Sequence, residues 1–165
     1  MLDHDVIEPA RALLDLCRKK GLRIAAAESC TGGLVSATLT ELAGSSEVFE
    51  RGFVTYSNEA KEAVLDVPAE ILRDYGAVSR ETAEAMAMGA MRRSPADLAV
   101  AITGIAGPAG ATAGKPVGLV HFAAASRAGR LMHRECRYGD IGRAQVRRIS
   151  VVEALGMLDE LARSA

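Results

Sequence analysis

The stretch LRIAAAESCTGG, residues 22–33, decides the fold. Its first half is a short apolar run, which predicts a buried strand over residues 22–27. Apolar side chains then recur at helical spacing over residues 31–42, and Gly44 ends this predicted helix. A buried strand that passes at once into a helix is typical of an α/β sheet.

Two more segments extend this sheet. The run DLAVAIT, residues 97–103, predicts a central buried strand, and continuous apolar runs favour a sheet that helices cover on both faces. Residues 117–126 and 130–137 predict two strands joined by a short turn, which makes the sheet mixed. We therefore expect one α/β domain over residues 1–165, folded as a three-layer α/β/α sandwich with a mixed sheet.

Helical spacing and capping residues predict the other elements. They are helices over residues 5–20, 59–65, 80–93 and 141–163, a strand over residues 53–56, and a short helix opened by Pro68. Their predicted N-caps are Asp5, Ser57 or Asn58, Ser79 and Asp140. A long glycine- and proline-containing loop, residues 104–116, follows the central strand, and loops of this length in a compact domain are often functional.

Composition argues against several classes of function. The chain has a formal net charge of -1 and 4% aromatic residues, so it offers neither a basic field nor rings for base stacking, and we expect no nucleic-acid partner. Its three cysteines lack the spacing of a zinc site or a disulfide framework, so we expect no metal and a reducing, cytoplasmic compartment. No signal peptide and no apolar run near the roughly 20 residues of a membrane helix is present, so we expect no membrane contact.

The turn AESCTGG lies where α/β sheets bind ligands, beyond the carboxyl end of a strand. The helix behind it directs its N-terminal amides and positive dipole at this place. Gly32 and Gly33 would let a ligand approach the backbone closely. The alternative is a plain strand-to-helix turn in which Ser29 or Thr31 caps the helix.

A second candidate segment is TYSNEAK, residues 55–61, with Tyr56 and Lys61 on either side of a predicted change from strand to helix. A lysine in such a helix is usually solvated. A buried lysine has a lowered pKa, and in its neutral form it can serve as a base that activates a serine. The residue spacing alone leaves both possibilities open.

The segment TGIAGPAG, residues 103–110, follows the central strand and shares a sheet edge with the first turn. The Thr103 hydroxyl and the Gly104 amide could hold a phosphate or an oxyanion. The segment does not match a Walker or a GxGxxG pattern, which disfavours ATP and Rossmann-type dinucleotides. In the last helix Arg143 and Arg147 share one face near the N-terminus, where a bound anion or a solvated basic face would explain them.

Several motifs together resemble one known family. They are AESCTGG, GSSEVFERGFVTYSNEAK, GAVS, TGIAGPAG and KPVGLV, followed by an arginine in the last helix. In this order they resemble the C-terminal domain of the CinA family, and within it the stand-alone bacterial nicotinamide-nucleotide amidases. The resemblance implies hydrolysis of the carboxamide of nicotinamide mononucleotide (NMN) to nicotinate mononucleotide and ammonia. It also implies a serine/lysine mechanism without metal or cofactor, and a homodimer.

The resemblance assigns roles to residues motif by motif. Ser29 would be the nucleophile, Lys61 its base, and Tyr56 a further catalytic residue that assists proton transfer or positioning. Ser46 would assist in the same way beside the substrate. The substrate-binding residues would be Ser46, Thr31, Gly32, Gly33, Thr103, Gly104 and Arg143.

One departure and two alternatives accompany this assignment. The loop GPAGATAGKPVG has Ala111 where the family commonly has glycine and Ala109 where an acid is frequent, which bears on substrate affinity. A cysteine hydrolase could use Cys30, because a helix N-terminus lowers the pKa of a thiol. A non-catalytic nucleotide-binding or regulatory module could use the same loops to bind NMN without turning it over.

Overall fold

The computed structural model describes residues 3–165. Its strands are β1 (Ile24–Glu28), β2 (Phe49–Val54), β3 (Leu98–Gly104), β4 (Leu119–Ser126) and β5 (Leu131–Arg137). They form one sheet in the order β2-β1-β3-β4-β5. β1 pairs in parallel with β2 and β3, whereas β4 and β5 are antiparallel to their neighbours. The predicted mixed sheet is therefore confirmed.

Helices cover both faces of this sheet. They are α1 (His4–Lys20), α2 (Leu34–Thr40), α3 (Asn58–Leu65), α4 (Ala69–Tyr75), α5 (Arg80–Arg92) and α6 (Arg143–Ser164). Residues of α1, α2 and α6 form one core with the sheet, and residues of α3, α4 and α5 form a second core on its other face. The three-layer α/β/α sandwich is confirmed. No helix within residues 3–165 is both long and apolar enough to cross a bilayer.

Alternation along β1 assigns its side chains to the two layers. Ile24 and Ala26 belong to the core of α1, α2 and α6, whereas Ala25 and Ala27 belong to the core of α5. The same alternation carries past the strand end, so Glu28 faces the α2 layer and the next residue, Ser29, faces the α3 layer. This reversal separates the two polar side chains that begin the turn.

Several predicted element boundaries were wrong for local reasons. The strand predicted over residues 53–56 is β2, but β2 starts at Phe49 and ends at Val54. Its bounds were missed because an edge strand with exposed residues gives no continuous apolar signal. The helix predicted from Thr31 begins at Leu34, because Gly32 and Gly33 both have positive φ.

The predicted caps gave a mixed outcome. Ser57 and Ser79 cap α3 and α5 through their hydroxyl oxygens, as expected. Asp5 lies inside α1, whose N-cap is Asp3, and Gly142 rather than Asp140 precedes α6. Neither α1 nor α6 has a side-chain cap. Both helices therefore form without the capping hydrogen bond that the sequence predicted.

Candidate active site

The carboxyl ends of the three parallel strands meet at one edge of the sheet, where ligands bind in α/β proteins. Ser29 follows β1, Thr55 and Tyr56 follow β2, and Thr103 lies at the end of β3. A cavity of about 200 Å³ opens here. It is lined by Ser29, Cys30, Tyr56, Lys61, Ala77, Val78, Thr103, Gly104, Ala106 and Arg143.

Lys61 and Ser29 form the central contact of the cavity. Lys61 Nζ lies 3.1 Å from Ser29 Oγ, 3.0 Å from the Thr55 carbonyl oxygen and 3.2 Å from the Tyr56 carbonyl oxygen. A neutral amine has two hydrogens and one lone pair. Its hydrogens match the two carbonyls, and its lone pair then faces the serine hydroxyl. In this neutral form the lysine can accept the proton of Ser29, whereas an ammonium would donate one hydrogen to each of the three oxygens.

Burial favours this neutral form. Lys61 is only 1% exposed, and its removal from water lowers the pKa of its amine below the ordinary 10.5. The sequence left open whether Lys61 is solvated or buried, and in the structure it is buried. The α3 helix places it under the β1 turn because Ser57 and the following residues reverse the chain directly after β2.

The N-terminus of α2 is not free to bind an anion, which corrects the expectation from sequence. Glu28 is fully buried, and its carboxylate accepts hydrogen bonds from the backbone amides of Val35 (2.8 Å) and Ser36 (3.0 Å). The Ser36 hydroxyl donates a third bond of 2.7 Å to the same carboxylate. Neither Ser29 nor Thr31 caps the helix: its N-cap residue is Gly33, and the Glu28 carboxylate accepts two amides of its first turn.

The turn itself still offers backbone donors. Among the described residues, no acceptor engages the amides of Cys30, Thr31 and Gly33. Two carbonyl groups of the same turn are held from α6: Arg147 donates from Nε to the Cys30 oxygen at 3.2 Å and from Nη2 to the Thr31 oxygen at 3.0 Å. From the sequence, a bound anion was one explanation for Arg147. In the structure, these two peptide oxygens accept the hydrogen bonds of its guanidinium instead.

Arg143 and Tyr56 border the open side of the cavity. Arg143 donates to the Gly107 carbonyl oxygen at 3.0 Å and to the Tyr56 hydroxyl at 3.1 Å. The Tyr56 side chain is 62% exposed, and it is the backbone of Tyr56 that contacts Lys61. The structure thus brings both residues to the site, with the phenol hydroxyl bound to the arginine.

The other predicted residues are two buried threonines and one tightly packed glycine. Thr103 is buried and donates to the Ala77 carbonyl oxygen at 2.7 Å. Thr31 is buried as well, and its hydroxyl has no partner among the described residues. Gly104 has a packing reason to be glycine, since an added Cβ would lie 2.8 Å from a Val120 methyl carbon.

Ser46 lies away from this site within its own chain. It belongs to a short 3-10 turn, Ser45–Glu47, directly before β2. Because β1 and β2 are parallel, the start of β2 lies at the sheet edge opposite to the one that holds Ser29. The structure therefore does not bring Ser46 together with Ser29 and Lys61 in one chain.

Cys30 lies at the cavity but is poorly suited to act as a nucleophile. Burial raises the pKa of its thiol to about 12, which keeps the sulfur protonated at neutral pH. The helix dipole that would oppose this effect is already met by Glu28. Within residues 3–165, no three His, Cys, Asp or Glu side chains are arranged to hold a metal ion.

Sequence reasoning missed the role of Glu28. The signal was present, because a glutamate that ends an otherwise apolar strand needs buried hydrogen-bond donors. It also missed that main-chain oxygens of Thr55 and Tyr56 hold Lys61, and for these no sequence signal exists. Ala109 and Ala111, the two departures in the loop, are exposed and lie outside the cavity of Ser29 and Lys61.

The sequence also matches the model of a known protein family. The model of the CinA C-terminal domain family matches residues 7–162. The chain belongs to the CinA C-terminal domain family. This confirms the resemblance seen in the motifs, and the match covers nearly the whole chain.

Individual relatives differ in length. The chain is 45% identical over 159 residues to the nicotinamide-nucleotide amidohydrolase PncC of Escherichia coli K12, with 96% of this chain and 95% of that protein covered. It is 49% identical over 147 residues to a CinA-like protein of Geobacter sulfurreducens, but there it spans only 35% of the relative's length. This chain thus corresponds to one part of the longer relatives.

Solved structures share the fold. The competence/damage inducible protein CihA of Agrobacterium tumefaciens is 53% identical, with a TM-score of 0.96 and 98% of both chains covered. A CinA superfamily protein from Enterobacter cloacae is 32% identical, with a TM-score of 0.89 and coverage of 98% and 97%. The mixed sheet and its helical layers are therefore the architecture of this family.

Proposed function

We propose that this chain is a single CinA C-terminal-like amidohydrolase domain that hydrolyses the carboxamide of NMN to nicotinate mononucleotide and ammonia. The observation that supports it most is the contact of a buried lysine amine with a serine hydroxyl at the end of β1. The name of the Escherichia coli relative indicates the substrate, because that protein matches this chain over nearly its full length.

The proposed reaction begins with Ser29. Neutral Lys61 accepts the hydroxyl proton while Ser29 Oγ attacks the carboxamide carbon of NMN. The resulting oxyanion is held by backbone amides of the turn, of which those of Cys30 and Thr31 lack an internal acceptor. Protonated Lys61 then returns the proton to the amide nitrogen, which leaves as ammonia and leaves an ester on Ser29.

Water completes the reaction. Lys61 is neutral again after ammonia departs, and it accepts a proton from a water molecule that attacks the ester carbon. Collapse of the second oxyanion releases nicotinate mononucleotide while protonated Lys61 returns its proton to Ser29 Oγ, which restores the serine hydroxyl and the neutral lysine. Since the serine and the lysine supply nucleophile and base themselves, the proposed reaction uses no metal and no cofactor.

Substrate binding is assigned to the groups around the cavity. Arg143 lies at its open side and is a cation that can pair with the phosphate of NMN. Thr103 and the glycines of the turn, Gly32 and Gly33, would contact the pyridine ring and its amide. Tyr56 would position Arg143 through the bond that joins its hydroxyl to the guanidinium.

We also infer a cytoplasmic homodimer, in keeping with the resemblance and the cysteine usage. The role that the resemblance gives Ser46 requires a second copy, since in its own chain this residue lies at the opposite sheet edge. Light scattering of the purified protein measures the number of chains. A monomer at all concentrations would remove Ser46 from the proposed site.

The test of the proposed function is product formation. Purified protein is incubated with NMN, with nicotinamide riboside and with free nicotinamide, and ammonia and the acid product are both measured. We expect equal amounts of ammonia and nicotinate mononucleotide from NMN, and far slower release from the two compounds without phosphate. Binding of NMN without release of ammonia would instead favour a non-catalytic nucleotide-binding module.

A further inference from the structure

The peptide oxygens of the nucleophile turn, Ser29 to Gly33, receive side-chain hydrogen bonds from one residue, Arg147. Arg147 Nε donates to the Cys30 oxygen and Arg147 Nη2 donates to the Thr31 oxygen, at 3.2 and 3.0 Å. Among the described residues, no other side chain donates to a carbonyl of this turn. The arginine reaches it from the second turn of α6, the opposite end of the sequence.

Holding these oxygens also directs the amides of the turn. A peptide unit is planar, and its carbonyl and N–H point in opposite directions. The Cys30 oxygen and the Thr31 amide belong to one such unit, so a fixed oxygen fixes the direction of that amide. The Thr31 amide is one of the donors without an internal acceptor. Arg147 thus orients the Thr31 amide, which could donate a hydrogen bond to the oxyanion.

Backbone bonds hold the two ends of the turn, from Ser29 N to the Ile102 oxygen at 3.0 Å and from Ala37 N to the Gly33 oxygen at 2.8 Å, and fewer hold its middle. Gly32 and Gly33 have φ values of 58° and 99°, and glycine populates many backbone conformations at similar cost. Inside the turn, Gly32 N donates to the Ser29 oxygen at 3.0 Å, and Leu34 N donates to the Thr31 oxygen at 3.1 Å. The second of these oxygens is the one that Arg147 also binds.

The end of the turn is fixed separately. Glu28 accepts the amides of Val35 and Ser36 in α2, so it holds the helix and not the peptides of Cys30 and Thr31. The guanidinium is suited to the remaining task, because its planar fork offers two parallel donors at a fixed spacing. A lysine at the same position has one nitrogen and can hold only one of two separated oxygens well.

We propose that Arg147 is a positioning residue that holds the nucleophile turn in the orientation needed to stabilise the oxyanion. Here the inference rests on the proposed amide hydrolysis. Arg147 does not touch the substrate in this account. Its loss therefore lowers kcat and leaves KM nearly unchanged, in contrast to loss of Arg143, which raises KM.

Steady-state kinetics with NMN test the effect on catalysis. For Arg147→Ala we expect kcat to fall roughly a hundredfold, the size of effect that a misplacement of about 1 Å produces. Arg147→Lys is expected to fall between this variant and the wild type. Arg148→Ala is the matched control, because Arg148 is the next arginine of α6 and pairs with Asp3 and Asp5 away from the cavity.

Amide hydrogen exchange measured by NMR provides a readout that does not depend on turnover. In Arg147→Ala the amides of Gly32 and Leu34 should exchange faster than in the wild type and in Arg148→Ala, while core amides of β3 remain unchanged. If the wild type releases no ammonia, the proposed function fails, and exchange alone decides on Arg147. Unchanged exchange at Gly32 and Leu34, or a kcat equal to that of Arg148→Ala, would overturn the inference.

Discussion

Lys61 is the residue whose environment differs most from what its sequence context suggests. It lies in an eight-residue helix among exposed neighbours, yet it is 1% exposed and contacts a serine hydroxyl. Burial favours the neutral form of its amine, and two carbonyl oxygens accept its hydrogens. In its neutral form such an amine can accept a proton from the serine.

The first prediction concerns the pH dependence of this base. Because burial lowers the pKa of Lys61 below 10.5, the active neutral form increases as the pH rises through that lowered value. We expect kcat/KM of the wild type to rise with pH and then level off. In Lys61→Ala the residual activity should lack this rise, and the exposed-lysine control Lys19→Ala should keep it. A wild-type profile without the rise contradicts a lysine base.

At the residue scale, sequence identified the two chemical partners but not their contact. The pairing of Ser29 and Lys61 was available only through the family motifs. Spacing alone left Lys61 as solvated or buried, because burial depends on how α3 packs under the β1 turn. The same limit applies to the carbonyl oxygens that hold the lysine, since every residue has one and none is marked in the sequence.

Among the elements, α2 depends on a carboxylate that lies in the preceding strand. Glu28 accepts bonds from two backbone amides and one hydroxyl of α2. This contact joins β1 to α2 across the turn, and it leaves the turn between them to be shaped by its glycines. One buried side chain therefore joins the end of β1 to the first turn of α2.

The second prediction follows from the donors around Glu28. In Glu28→Gln an NH2 group replaces one of the two carboxylate oxygens. This NH2 group faces a backbone N–H of α2, which then has no acceptor. We expect a loss of about 1–3 kcal/mol in the free energy of unfolding, the usual cost of a buried unsatisfied group. Urea denaturation measures it. The exposed Glu62→Gln on α3 should change stability by less than about 0.5 kcal/mol, and an equal effect of both changes would contradict the role of Glu28.

A third prediction compares two glycines in helices. A Cβ at Gly89 of α5 would clash with the Leu65 carbonyl oxygen, whereas a Cβ at Gly156 of α6 meets nothing within 4 Å. We expect Gly89→Ala to destabilise the protein by about 1–3 kcal/mol through overpacking. Gly156→Ala should stabilise it by up to about 1 kcal/mol, since alanine favours helix. Thermal denaturation decides, and a stabilised Gly89→Ala would show that α3 and α5 do not cross so closely.

For the whole molecule, the order of strands explains why one edge of the sheet holds every polar group of the site. Three parallel strands end together, and α6 contacts this end through the bonds of Arg143 to the Gly107 oxygen and of Arg147 to the Cys30 oxygen. Sequence predicted the sheet, its mixed character and its helical layers, because these follow from apolar periodicity. It did not predict the true bounds of the edge strand β2, whose exposed residues give no periodic signal, or the contact of α6 with the turn, which joins distant segments.

A fourth prediction concerns ligand binding by the folded chain. NMN should stabilise Ser29→Ala, in which it is bound without turnover, by about 2.7 kcal/mol at a concentration of one hundred times Kd. For a chain of this size that corresponds to a rise in Tm of roughly 5–10 °C. Arg143→Ala combined with Ser29→Ala should lose most of this rise. An equal rise in both variants would contradict the pairing of Arg143 with the phosphate.

The most direct test of the central claim compares ammonia release from NMN by Ser29→Ala and by Cys30→Ala. The two residues are adjacent, and each offers a nucleophilic atom beside the cavity. We predict that Ser29→Ala loses roughly four orders of magnitude or more in kcat, whereas Cys30→Ala stays within a few-fold of the wild type. Retained activity in Ser29→Ala, or its loss in a folded Cys30→Ala, would contradict a serine nucleophile activated by Lys61.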